Sequence, residues 1–462
     1  MSPSPPDPAR IYPAPRAPRL ERVGLRDDLV AKAILLCQRP SRGINMLPGY
    51  GLKKGERVLL GIDSSYDLRI LEALGSAMRE LGAVVDTIVV DSAGATRSVY
   101  NITDTPIDGA DEARSIQTSI SSDVRRNPYL VREIADKHNY DLVINGTAGP
   151  VPDLPYRWER LPWTSLEHWA GEEITFPTEL QMAIDEVVWE QIQRCQQVRV
   201  TDPEGTDISF TNYRDHRWLY MSHQWGKPFY ITAEEDAEGV IAGTTNHRGA
   251  YNWCEATVEA GLVTSVKGSG DYAEIWREKL REFNHVVLPP YRTRKLAGSH
   301  DMPAKHRAGF FWYWECAIGT MPKVFRPATG LFDLLYERRR SGLVHHGFGP
   351  NNDEIPAMIQ ACLPSRHVHI HNLFATYTGT TERGENFLVI DRGRLTALDD
   401  PRVRAVAERF GEPAALLGEA WVPPMQGINL EGDYMRDYGS NARQRVLEEA
   451  ARRAAHLTHR SL

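Results

Sequence analysis

Between Gly55 and Val90 the chain spells out a strand, a helix and a second strand, and that order leaves few folds open. Arg57-Val58-Leu59-Leu60-Gly61-Ile62-Asp63 is short, apolar and β-rich, as a strand buried on both faces must be. Tyr66 to Leu81 carries apolar residues at helical spacing, Gly82 stops that helix, and Val84 to Val90 reads as the next strand. A strand–helix–strand unit of this length closes as a right-handed parallel pair. The pattern recurs. Pro128 to His138 reads as a helix, its proline tolerated at the first position, and Asp141 to Gly146 as a strand ending in a turn. Asp27 to Gln38 adds another helix. The sum is an open parallel sheet with flanking helices.

The rhythm breaks at 147–180, a stretch with several prolines and Trp158, Trp163 and Trp169. Two readings stay open for it: an irregular segment covering a cleft, or a packed surface excursion. From Gln197 the pattern changes to period two. Val198 to Phe210 reads as a hairpin turning at Pro203-Glu204-Gly205, and alternating runs follow at Ala256–Glu259, Leu262–Lys267, His285–Leu288 and Phe387–Ile390. Asp271 to Phe283 reads as a helix, and Asn441 to Ala455 as an amphipathic one. The expected fold class is α/β, an N-terminal open parallel sheet with flanking helices followed by a C-terminal β-rich α+β domain. A chain of 462 residues has room for that division: a proline-rich arm at 1–22, free or wrapped on a neighbouring subunit, an α/β domain at 23–196, the β-rich domain at 197–400 and a C-terminal extension at 401–462.

Several function classes fall away on charge and composition. A formal net charge of -7 repels phosphate backbones, and no basic run offsets it. Nucleic acid is not an expected partner, and Glu337-Arg338-Arg339-Arg340 reads as a solvated helix end. The five cysteines, Cys37, Cys195, Cys254, Cys316 and Cys362, are scattered and form no CxxC, which speaks against a disulfide framework and a thiolate zinc site. The N-terminus has no apolar core of a secretory signal, and no apolar run approaches bilayer length. A cytoplasmic protein with no membrane partner is expected. Neither GxGxxG nor GxxxxGK[ST] follows the first strand, and GxSxG and HExxH are absent.

The chemistry concentrates in histidines. In Arg366-His367-Val368-His369-Ile370-His371-Asn372 three imidazoles alternate with apolar residues, so on a strand all three line one face, with neighbours about 6 to 7 Å apart. That spacing suits two ligands of one ion. In Val344-His345-His346-Gly347-Phe348-Gly349 the adjacent histidines must point to opposite faces, so one of the two can reach a given site. Glu315 ends the aromatic run Phe310-Phe311-Trp312-Tyr313-Trp314; buried, it needs a metal or a partner, and on a half-exposed strand it faces solvent. The aromatics Trp312, Tyr313 and Trp314 are candidates for an apolar wall. His247 and Arg248, in Thr245-Asn246-His247-Arg248-Gly249, are candidate catalytic residues: an arginine fork holds a carboxylate well, though a plain polar loop has the same composition. A metal site is one reading of the histidine strand and a solvated antiparallel face is the other.

These segments, in this order, resemble the family of the thermophilic-type metallo-aminopeptidases and the 2,5-dihydroxypyridine 5,6-dioxygenases. The matching pieces are Gly55 to Leu59, Val200 to Asp207, Glu315 to Gly319, His345 to Gly349 and His369-Ile370-His371, colinear between about residues 30 and 400. The resemblance implies that 197–400 is a metal-binding catalytic domain. It implies metal ligation by His345, His369 and His371, with His371 where the family has aspartate, and by Glu315. The peptidases hold two metals and use a tyrosine where this chain has Asn351 and Asn352, which points away from them. The expected function is a mononuclear non-haem Fe(II) dioxygenase acting with O2 on a small hydroxylated aromatic or heteroaromatic acid. The alternative is a zinc- or manganese-dependent aminopeptidase or amidase, and a third reading is a non-catalytic metal-binding protein. A homo-oligomer is expected, since the family associates through its second domain.

Overall fold

β1 (Arg57–Asp63) is buried on both faces, as its unbroken apolar run requires. Val58, Leu60 and Ile62 join a core with the helices α1 (Arg26–Gln38) and α2 (Leu68–Glu80). Leu59 points the other way, toward Val131 and Ala135 of the helical stretch 131–138. Asp67 caps α2 by accepting from the Arg69 amide. β2 (Val84–Val90) and β3 (Leu142–Asn145) flank β1, both parallel to it. The computed structural model describes residues 11–21, 26–40, 49–63, 66–90, 108–110, 131–145, 154–161, 163, 165–212, 229–232, 236–283, 311–328, 335–349 and 367–458. The expected strand His285–Leu288, the start of the helix at Pro128, and Cys362, Asn351 and Asn352 lie outside the described residues.

The stretch expected to be irregular holds a fourth parallel strand. β4 (Arg157–Arg160) completes the order β2-β1-β3-β4. Its sequence, Arg-Trp-Glu-Arg, has no apolar run to announce it. Trp158 packs with Leu59 and Val143, and Arg157 pairs with Glu56 at 2.6 Å. Two helices follow, α3 (Leu166–Ala170) and α4 (Thr178–Arg194).

The remaining strands form two antiparallel sheets. They are β5 (Gln197–Thr201), β6 (Asp207–Thr211), β7 (Phe229–Thr232), β8 (Glu238–Thr245), β9 (Ala250–Glu259), β10 (Leu262–Gly268), β11 (Tyr313–Ile318), β12 (Val344–Phe348), β13 (Val368–Asn372), β14 (Thr376–Thr380), β15 (Asn386–Asp391) and β16 (Arg394–Leu395). One sheet has the order β10-β9-β8-β6-β5-β14-β15-β16, and the other β13-β12-β11-β7. Helix α5 (Asp271–Phe283) spans the residues its periodicity predicts. The sheets meet where β13 crosses β8: a methyl on Gly243 would stand 2.6 Å from Ile370 Cγ2, and Asn372 Nδ2 donates to the Ala242 carbonyl at 2.8 Å.

Glu337, Arg338, Arg339 and Arg340 are all buried, contrary to the expectation of a solvated helix end. Arg326 grips Glu337 through two bonds of 2.7 and 2.8 Å, Arg339 pairs with Glu173, and Arg340 lies 3.6 Å from Glu419 while donating to the Trp421 carbonyl. Carboxylates at 173 and 419, remote in sequence, are what let this charge run enter the core.

Beyond β16 come α6 (Pro401–Glu408), α7 (Pro413–Leu417), α8 (Tyr434–Asp437) and α9 (Ala442–Thr458). Residues 11–21 of the proline-rich arm lie on this part of the same chain. Arg16 and Val422 exchange two backbone bonds of 3.0 Å, Asn429 Nδ2 donates to the Pro13 carbonyl, and Tyr12 meets Phe374 edge-on. Among the described residues, no helix is long and apolar enough to cross a membrane. Cys37, Cys195, Cys254 and Cys316 are buried and none of the four is in a disulfide.

Candidate metal centre

Register places the donors. β12 pairs with β11 on one side and β13 on the other, so residues line up in rungs across three strands. One rung is Glu315, Gly347 and His369; two positions along is the rung Ala317, His345 and His371. Residues two apart on a strand share a face. Glu315, His345, His369 and His371 therefore project from the same side of the sheet. The glycine between Glu315 and His369 keeps that side open, since a methyl at position 347 would stand 2.7 Å from Glu315 Oε2.

His247 comes to this face from the other sheet. It follows β8 in a tight turn where Asn246 Oδ1 accepts from the amides of Arg248 and Gly249 at 2.9 and 3.1 Å, and Asn246 Nδ2 donates to the Gly109 carbonyl. The His247 ring stacks on His369 with centroids 3.8 Å apart and on His345 at 4.6 Å, and meets His371 edge-on at 5.2 Å. Two groups of three donor atoms result, each within 4.8 Å of one another: His247, His345 and His371; and Glu315, His367 and His369. They adjoin, since His345 Nε2 lies 3.2 Å from Glu315 Oε1.

The ligand set expected from sequence is His345, His369, His371 and Glu315, without His367. The geometry divides that set in two and adds a histidine to each half. His247, expected to orient substrate, stands among the donors, and Arg248 stands next to them. The signal for His247 was present in its loop, where an Asn-x-x-Gly turn presents the histidine at its tip. Nothing local tied that loop to strands about a hundred residues later.

Burial pushes the imidazoles of His247, His345 and His371 well below their ordinary range, with neighbouring histidines and the Arg338 guanidinium acting in the same direction. His369 is pushed down to about 3 by burial, opposed by Glu315 and assisted by Arg338 and Arg248. Neutral imidazole is the form that binds metal. Both ring nitrogens of His345 and of His371 are buried with no hydrogen-bond partner among the described residues. A metal ion satisfies such nitrogens, so the residues present fit one. Imidazole donors suit iron, zinc and copper.

His346 faces the opposite way. The Ala242 carbonyl can only accept, so the Asn372 amide nitrogen points to it and Asn372 Oδ1 accepts from His346 Nε2 at 2.8 Å. His346 Nδ1 then accepts from the Tyr313 hydroxyl at 2.9 Å. Tyr313 also packs on Phe348 and Phe210, so it belongs to this inner face and not to a wall of the donor cluster. The chain Tyr313–His346–Asn372–Ala242 ties β11, β12 and β13 to β8. Helix α5 adds a tie, the Tyr272 hydroxyl donating to the His369 carbonyl at 2.9 Å.

No family model and no curated protein sequence matches this chain. Among solved structures, a 2,5-dihydroxypyridine dioxygenase from Pseudomonas putida KT2440 is similar at 14% identity over 82% of this chain and 99% of that one, with a TM-score of 0.44. The wild-type AmpT of Thermus thermophilus is similar at 13% identity over 80% and 99%, with a TM-score of 0.42. Both are distant likenesses.

Proposed function

We propose that this chain is a mononuclear non-haem Fe(II) dioxygenase acting on a small hydroxylated aromatic or heteroaromatic acid, with its ion held by His247, His345 and His371. The observation that carries the reading is the all-imidazole group of half-buried His247 with buried His345 and His371, four of whose ring nitrogens, on His345 and His371, have no hydrogen-bond partner among the described residues. Three neutral ligands leave the ion its full charge of two. When bound there, the ion would supply redox chemistry for the oxidation of an electron-rich ring by O2. The chain's own residues prepare the place for an anion. Arg338 acts on four of the histidines and Arg248 on His369, so the field at the cluster is positive. The Arg248 guanidinium can hold a carboxylate by two parallel bonds. Glu315, beside His345, is the base within reach of a substrate hydroxyl proton.

One observation favours a second reading. Glu315, His367 and His369 form a complete donor group of their own beside the first. Two adjoining groups suit a two-ion zinc or manganese hydrolase, where His247, His345 and His371 would hold one ion and Glu315, His367 and His369 the other, and the ions would supply an activated water and Lewis acidity. Anaerobic purification and metal analysis separate the two. One iron per chain with oxygen uptake on hydroxylated pyridines or benzoates supports the first; two zinc or manganese ions with amide turnover support the second. His345→Ala and His371→Ala should each lose most of the metal while keeping the wild-type circular dichroism, and retention of a full equivalent by both would overturn the assignment. We further propose a cytoplasmic homo-oligomer; light scattering at the chain mass of 52.1 kDa would refute the assembly.

A further inference from the structure

The turn between β5 and β6, Asp202-Pro203-Glu204-Gly205, buries two carboxyl groups away from the histidines. Asp202 Oδ1 accepts from the Glu204 amide at 2.9 Å and Oδ2 from the Phe374 amide at 3.1 Å. Glu204 Oε1 accepts from the Thr244 hydroxyl at 2.7 Å and from the Tyr434 hydroxyl at 2.6 Å. Glu204 Oε2 is buried with no hydrogen-bond partner among the described residues. Every donor to the pair is thus a hydroxyl or a backbone amide.

The charged and titratable groups facing the pair come from four sides. Tyr434 and Tyr438 belong to the C-terminal extension, Tyr12 to the arm, Arg392 to the turn after β15, and Arg326 to the segment after β11. Arg326 is committed to Glu337 by two bonds, and the Arg392 guanidinium to Asp391. Among the described residues the pair therefore has no cation of its own. A buried carboxylate with a bare oxygen costs several kcal/mol or takes up a proton.

We propose that the Asp202–Glu204 turn is a proton-gated latch that fastens the C-terminal extension, through Tyr434, against the strand leading to His247. With a proton, Glu204 stays buried as a neutral acid while Tyr434 and Thr244 close on Oε1. Without it, the turn holds a buried anion, and releasing the extension lets water reach Oε2. Thr244, which shares Glu204 Oε1 with Tyr434, lies on β8 three residues before His247, so the latch reaches the donor cluster through one strand.

The sign follows from the two states. Burial, and then the charge of Asp202, hold the Glu204 carboxyl well above its ordinary 4.5 when the extension is docked. Released, it returns to 4.5. Between those values the docked state keeps a proton the released state has lost, so docking weakens as pH rises, by at most about tenfold per pH unit for one proton.

Hydrogen–deuterium exchange of the full chain between pH 5 and 9 tests this, with intrinsic exchange rates divided out. Opening of peptides covering 423–458 should rise with pH in the wild type, up to about tenfold per unit, while peptides from α1 and α2 stay flat. In Glu204→Gln the rise should vanish. In Tyr434→Phe opening should increase severalfold at every pH with the slope retained, which keeps the test decisive if the glutamine variant does not fold. Opening independent of pH in the wild type, a wild-type slope in Glu204→Gln, or an equal rise in α1 and α2 would each overturn the latch.

Discussion

Replacing Gly347 by alanine puts the rung arrangement to the sharpest test. The new methyl would stand 2.7 Å from Glu315 Oε2, 2.9 Å from its Cβ and 3.3 Å from its Cδ. Carbon contacts settle near 3.5 to 4.0 Å, so the carboxyl group must retreat by roughly 1 Å. The backbone can give little, because Gly347 is paired on both sides, to Glu315 and to His369. Overpacking of this kind costs about 1–3 kcal/mol. Glu315 also lies 3.2 Å from His345 Nε2, and displacing a group that supports a ligand lowers metal affinity by roughly 10- to 100-fold. Competition with a chromophoric chelator reads the affinity, and scanning calorimetry reads stability on the same samples. The expected result is both losses together. Removing the obstacle should restore part of them: in a Glu315→Gly background, alanine at 347 should cost less than it does alone. Wild-type affinity and an unchanged melting temperature in Gly347→Ala would refute the reasoning, and so would strictly additive losses in the double variant.

Three further outcomes are expected. His371→Asp adds a negative charge to the donor group and should weaken binding of an anionic benzoate more than it weakens binding of iron; unchanged substrate affinity with lost metal would limit His371 to holding the ion. Glu337→Gln leaves the buried Arg326 guanidinium without its counter-charge and should cost about 3–5 kcal/mol in urea unfolding, a loss that Arg326→Met in the same chain should largely recover. His168 is half-buried and held neutral, its imidazole pushed down to about 3 by desolvation and then by Arg339; the unfolded chain takes up a proton near 6.5, so stability falls as pH drops from 6.5 toward 3, by at most about 1.4 kcal/mol per pH unit from this group. His168→Gln should flatten the unfolding free energy over that range by the same amount, and an unaltered slope would refute the assignment.

Local patterns made part of this molecule legible. β1 and α5 announce themselves because burial on both faces demands an unbroken apolar run in the strand and burial of one helical face demands a period near four, while β2, an edge strand with Val84 and Val89 exposed, shows itself by its β-branched residues. The opposed directions of His345 and His346 follow from strand geometry alone. β4 could not be read, because its place beside β3 is secured by Trp158 and the Arg157–Glu56 pair instead of by apolar residues. The Glu337–Arg340 run misled for a related reason: local sequence shows four charges and hides the carboxylates at 173 and 419 that receive two of them. His247 and His367 could not be assigned to donor groups from spacing, since each group is completed by a contact between elements far apart in the chain.

The seat of the arm also sets an order of events. Arg16 is made early on the ribosome and Val422, its backbone partner, some four hundred residues later. Tyr12 waits for Phe374, and Pro13 for Asn429. Glu21 finds the Ala170 carbonyl much sooner, but until Phe374, Val422 and Asn429 emerge, residues 12–16 lack the contacts that seat them. Closing so long a loop is slow more than it is costly, since the entropic penalty grows only with the logarithm of its length. Seating of residues 12–16 therefore requires synthesis through Asn429.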